Sequence, residues 1–195
     1  MDIMGWLKTL NEKERFIRDM VLSNTISAAF QRAGVYRKGA NKQEQVELDK
    51  QKRKFRENIG DYLIKLGEEF DSTSDHDERI KGLKRYIDTV GSHLLEKNKI
   101  SLRREISFGV VQKLVNLYLK YLWCLRKCKR PPHCPIDAEI LKKGKAEKFG
   151  PWTKIDEKKY KGVIEKIKET IKSDNLAGWE LRTFNERNET YAQNI

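Results

Sequence analysis

The segment FGVVQKLVNLYLKYLWCL, Phe108–Leu125, restricts most strongly what this chain can fold into. Its apolar residues fall on nearly every side of a helical wheel. A helix of that kind must be wrapped by other elements, so it belongs in the middle of a domain. Polar residues interrupt it at helical spacing: Lys113, Asn116 and Lys120 stand at i, i+3 and i+7 and point the same way, with Gln112 beside them. The strip is either the solvated face of an otherwise buried helix or the lining of a cleft. In a cleft, apolar walls disfavour the ammonium form of a lysine, lower its pKa and make its amine a nucleophile suited to Schiff-base chemistry.

The rest of the chain reads as helices that could do the wrapping. Phe16, Ile17, Met20 and Val21 open an apolar stripe, with Asn11 available as N-cap and Gly34 as the stop. Phe55, Ile59, Tyr62, Leu63, Leu66 and Phe70 form a second stripe. Ile80, Leu83, Ile87, Val90 and Leu94 form a third, with Asp75 or Asp77 to cap it. The central helix is predicted to start after Asn98 or Ser101 and to end before Pro131-Pro132. Pro135 is placed as a first helical residue ahead of IDAEILKK. Tyr160, Val163, Ile164, Ile167 and Ile171 mark a late helix started by Thr153 and Asp156, and Leu176, Trp179 and Leu181 a short one after it. Segment 37–52 is polar enough to be a solvated, mobile lead-in. No strand pattern and no repeat emerges. The expected fold is all-α, with six to eight helices around a central buried helix. The 195 residues suit a single domain over 1–195 or two tightly packed lobes.

Charge narrows the partners. The formal net charge is +12, and residues 101–150 carry 12 basic against 4 acidic side chains. A surplus concentrated in one stretch favours a polyanion, above all nucleic acid, whether DNA or RNA. The start of the chain is too charged for a signal peptide, and no apolar run approaches the roughly 18 residues of a membrane span, so an intracellular protein with no membrane partner is expected. Cys124, Cys128 and Cys134 do not form an extracellular disulfide framework. Read with His133 they offer a zinc site, but neighbouring His133 and Cys134 rarely reach one ion together, and no metal is assigned. Asp75, His76, Asp77 and Glu78 diverge around a helix start, as a cap does. Phosphate-cradling and nucleophile-elbow motifs are absent from the sequence.

FGVVQK resembles the hairpin motif of the helix-hairpin-helix DNA glycosylases. There a Gly-Val-Gly-x-Lys turn leads into the helix bearing the catalytic lysine, and a downstream Pro-Val-Asp segment carries the catalytic aspartate. Gly109 and Val110 match the first two positions, Lys113 the lysine, and Pro135-Ile136-Asp137 the aspartate segment, over residues 108–137. Val111 stands where the second glycine belongs. Residues 114–136 separate lysine from aspartate, a gap longer than in most members of the family, though the archaeal 8-oxoguanine glycosylase branch has a longer one still. No four-cysteine iron–sulfur pattern follows, and no cofactor is expected.

The resemblance implies base excision with abasic-site lyase activity. A base is flipped out of the stack, Asp137 positions or deprotonates the attacking group, and Lys113 attacks the anomeric carbon. Lys120 is the substitute nucleophile or a phosphate contact. Gly109, Gln112, Asn116, the basic loop Arg126, Lys127, Lys129 and Arg130, and the aromatic Trp152 are the expected nucleic-acid contacts. Taken alone, Asp137 also fits the first turn of a helix, where a carboxylate opposes the positive helix end. The alternative from another class is a basic nucleic-acid-binding or interaction module without chemistry.

Overall fold

The computed structural model describes residues 11–71, 75–95 and 105–192, with side chains over 11–71, 75–91 and 105–187. The fold is all-α. Seven helices are described: α1 Glu12–Phe30, α2 Lys42–Glu68, α3 His76–Leu95, α4 Phe108–Cys124, α5 Ala138–Lys143, α6 Glu157–Ile171 and α7 Leu176–Ala192. Two 3-10 turns, Glu147–Phe149 and Trp152–Lys154, lie between α5 and α6. No strand occurs among the described residues, and none of the described helices is long and apolar enough to cross a membrane.

The chain divides into two compact units. One comprises Met1–Phe70 and Lys81–Ile106, the other Asp71–Ile80 and Ser107–Ile195, so α3 begins in the second and continues in the first. In the first unit, Asn11 caps α1 by accepting the Glu14 N–H while the Glu14 carboxylate returns to the Asn11 N–H. Phe30 of α1 stacks on Phe55 of α2 at 6.1 Å, and Ile59, Leu63 and Leu66 are buried as their spacing predicts. The α1 stripe departs from expectation, because burial begins at Val21 and Phe16 remains 67% exposed. The polar residues 42–52 are helical, forming the first turns of α2 from an Asn41 cap. Asn98 and Ser101 lie outside the described residues, as does the side chain of Leu94.

The second unit is built on α4. Every residue from Phe108 to Asn116 is buried, and Tyr118, Leu119 and Lys120 follow. Ser107 caps the helix by accepting the Val110 N–H at 3.3 Å. Pro135 is not a first helical residue: α5 starts at Ala138 with Asp137 as its N-cap. Asp156 caps α6 as anticipated, and Tyr160, Val163, Ile164 and Ile167 are its buried face. α7 runs further than the short helix expected.

Gly109 explains how the Trp152–Lys154 turn closes on α4. Its N–H donates to the Ile155 carbonyl at 2.9 Å, and a Cβ at this position would lie 1.8 Å from the Trp152 carbonyl oxygen. The glycine is a packing requirement, and its buried N–H is already used. Gly109→Ala must push the turn away from the helix. A stability loss of about 3 kcal/mol, the upper end of overpacking costs, is expected from urea denaturation; an unchanged midpoint would show that the turn does not seat there.

Candidate functional site

All residues of the site belong to the second unit. Its geometry starts from Gln112, whose side-chain amide works as a backbone clamp. Nε2 donates to the carbonyls of Gly109 and Ile136, both at 2.8 Å, and Oε1 accepts the Ile136 N–H at 3.1 Å. Fixing Ile136 fixes its neighbour Asp137. One carboxylate oxygen of Asp137 caps α5 by accepting the N–H groups of Glu139 and Ile140, and the other accepts from Lys113 Nζ at 3.3 Å. The Lys113 ammonium also stands 4.6 Å above the Trp152 ring, a favourable cation–π arrangement. The Lys113 side chain is 8% exposed and that of Asp137 25%. Asp137 is therefore the more accessible member of the pair. The residues of the aspartate segment and the lysine, distant in sequence, meet directly.

Two turns along the same face, Lys120 makes a second such pair. Its Nζ lies 2.9 and 2.7 Å from the two oxygens of Glu180 on α7, with both side chains 8% exposed. The Phe184 ring lies 4.4 Å from the same ammonium. Burial raises the Glu180 pKa against the opposing pull of Lys120. Cys134 lies near these charges, fully buried, and burial pushes its thiol well up, which removes it as a ready thiolate. Cys124 is exposed and Cys128 half-buried. No group of three or more His, Cys, Asp or Glu side chains among the described residues could share a metal ion.

Asn116 heads a third arrangement, whose proton positions follow from the backbone. Because Gln112 Oε1 accepts from Ile136, Asn116 must present Nδ2 to it, at 3.0 Å. The other Nδ2 proton goes to the Tyr160 hydroxyl at 3.0 Å, and Oδ1 accepts from His76 Nε2 at 2.7 Å. Tyr160 then donates to His133 Nδ1 at 2.8 Å. The His133 ring is thereby neutral, with its proton on Nε2. Burial, with positive charge on His76 and Lys168 nearby, brings its pKa down to about 3, and burial lowers that of His76 too. Asp77 Oδ1, 3.7 Å from Nδ1, forms no ion pair with the neutral ring.

A pH dependence follows. Between the ordinary histidine value of 6.5 and about 3, the unfolded chain binds a proton that folded His133 does not. Stability is therefore full above pH 6.5 and falls on acidification through that window. Denaturation at pH 7 and pH 5 should show this loss in the natural protein and a smaller loss in His133→Phe, with His76 supplying the remainder. An unaltered difference would mean that His133 titrates normally.

The structure thus brings together Lys113, Asp137 and Trp152. It places Gly109, Gln112 and Asn116 in the interior, where packing and internal hydrogen bonds employ them. Trp152, expected as a nucleic-acid contact, is 4% exposed and walls the lysine. Arg126, Lys127, Lys129 and Arg130 are exposed in the loop after α4. Sequence reasoning missed Glu180, Phe184, His76 and Tyr160. Glu180 left a usable signal as the lone charge within LAGWEL; the other three left none, because their partners lie far off in the chain.

No protein-family model matches the chain, and searches of curated proteins and of solved structures found no match.

Proposed function

We propose that the chain is a DNA-processing enzyme, a base-excision glycosylase with abasic-site lyase activity through a Schiff base on Lys113. The observation that carries it is the 3.3 Å contact of Lys113 Nζ with Asp137 Oδ2, at the two positions that the glycosylase resemblance pairs. Asp137 takes a proton from the Lys113 ammonium, and the freed amine pair attacks the anomeric carbon of a flipped nucleotide. The glycosidic C–N bond breaks, its electron pair leaves with the base, and the base is protonated from solvent. Opening of the sugar ring, with O4′ taking up a proton, gives the Schiff base; loss of a C2′ proton to solvent forms the C2′–C3′ double bond as the 3′-phosphate leaves and the strand is cut, and hydrolysis returns the lysine. Trp152 supports the cation before the proton moves and keeps water from the amine.

A non-catalytic nucleic-acid-binding module is favoured by a different observation. All four polar residues of the α4 strip are buried and bonded within the unit, an arrangement that structure alone would select. Borohydride trapping on abasic-site DNA, with base release from damaged duplexes, separates the two. A covalent adduct is expected from the enzyme, and salt-sensitive binding with neither adduct nor base release from the module.

A further inference from the structure

Lys129, Arg130, Pro131, Pro132, His133, Lys168 and Asp174 line a cleft of about 480 Å³ at the end of the loop after α4. Such a volume is in the range of small-ligand sites. Its charge is uneven. Lys168 is held by Glu165 at 3.3 Å and by Asp174 at 3.8 Å, whereas Lys129 and Arg130 make no ion pair with any described residue. Pro131, which is buried, and Pro132 stiffen the chain just after those two cations. His133 adds a donor of fixed identity. Its Nδ1 is committed to Tyr160, so the ring proton sits on Nε2, to which none of the described residues offers an acceptor. Two unpaired cations and an N–H donor beside one carboxylate make a site for a compact anion with several acceptor oxygens.

We infer that this cleft seats a phosphate, specifically one backbone phosphate of a bound nucleic-acid strand. The inference rests on the nucleic-acid function proposed above; it narrows the basic loop to two cations on one phosphate and adds His133 as their neutral partner. Arg130 supplies a planar fork and Lys129 a point charge, while His133, held by the Asn116–Tyr160 network, fixes the phosphate's orientation. Lys168, already paired, lines the cleft with less free charge to offer, and Asp174 disfavours a second anion.

The test uses the full chain and a labelled single-stranded DNA oligonucleotide, followed by fluorescence anisotropy across a salt series. Lys129→Ala with Arg130→Ala is compared with Lys158→Ala and Lys159→Ala. The latter pair is exposed at the start of α6, about 15 Å of helix rise from Lys168. The cleft pair should weaken binding about tenfold or more and lower the salt slope by about 0.7 for the phosphate lost; the control pair should cost about threefold or less. The His133 ring resonances should shift when the oligonucleotide is added. Equal losses from both pairs, without a His133 shift, would reduce the cleft to diffuse surface charge and overturn the inference. A His133 shift with inorganic phosphate or a nucleoside monophosphate, but no oligonucleotide binding, would make the ligand a free phosphate and overturn the strand. Failure of the enzyme proposal looks different: the seat persists while no Lys113 adduct or base release is seen.

Discussion

Replacing Lys113 by arginine is expected to abolish the borohydride-trapped adduct while leaving the protein folded. Arginine keeps the positive charge and can still donate to Asp137 Oδ2, which now receives Lys113 Nζ at 3.3 Å. It cannot be deprotonated into an amine nucleophile. Lys113→Ala should lose the adduct as well, but it also leaves the Trp152 ring without its cation. Asp137→Asn behaves differently. Asparagine caps a helix as well as aspartate does, so α5 keeps its start, yet the proton acceptor is gone. Trapping should then slow by about 10²–10⁴-fold without vanishing. An adduct that survives in Lys113→Arg would assign the chemistry to another amine. Base release without an adduct in the natural protein would make Asp137 the activator of a water and Lys113 its electrostatic partner. With neither, the binding module stands.

Much of the fold was legible because helix faces repeat locally. Phe55, Ile59 and Leu63, or Tyr160, Val163 and Ile167, sit at spacings of three and four, and each group is buried. Phe16 obeys the same spacing and is exposed, since spacing says which residues share a face and nothing about what covers it. The candidate site was partly legible for another reason. Lys113 and Asp137 were linked by a resemblance in residue order, and the contact depends on a device that leaves no local pattern, the Gln112 amide clamped on the Ile136 backbone. The fate of the strip was not legible. Whether Lys120 faced water or a cleft depended on Glu180, sixty positions away, and the carboxylate that meets it inside the unit belongs to a helix whose approach no periodicity encodes.

Lys120→Met should destabilise the unit by about 3–5 kcal/mol, because it strands the Glu180 carboxylate at 8% exposure. Glu180→Leu strands the ammonium and should cost a similar amount. The double variant removes both charges, and methionine and leucine refill the space beside Phe184. Its stability should return to within about 1 kcal/mol of the natural protein or exceed it, since desolvating two ions offsets much of their attraction. The pH dependence has a definite sign. Burial raises the Glu180 pKa even with Lys120 present, and removing Lys120 takes away the influence that holds it down. A carboxylate with a raised folded-state pKa favours the folded state at low pH, and this contribution is lost as pH rises from its unfolded value through its folded one. The penalty of Lys120→Met should therefore be smaller at pH 5 than at pH 8. A double variant as unstable as either single one would show that the pair contributes net stability beyond its own desolvation. A double variant that recovers, and remains trappable by borohydride, would fix Lys120 as a structural partner of Glu180 and leave Lys113 as the amine that can do chemistry.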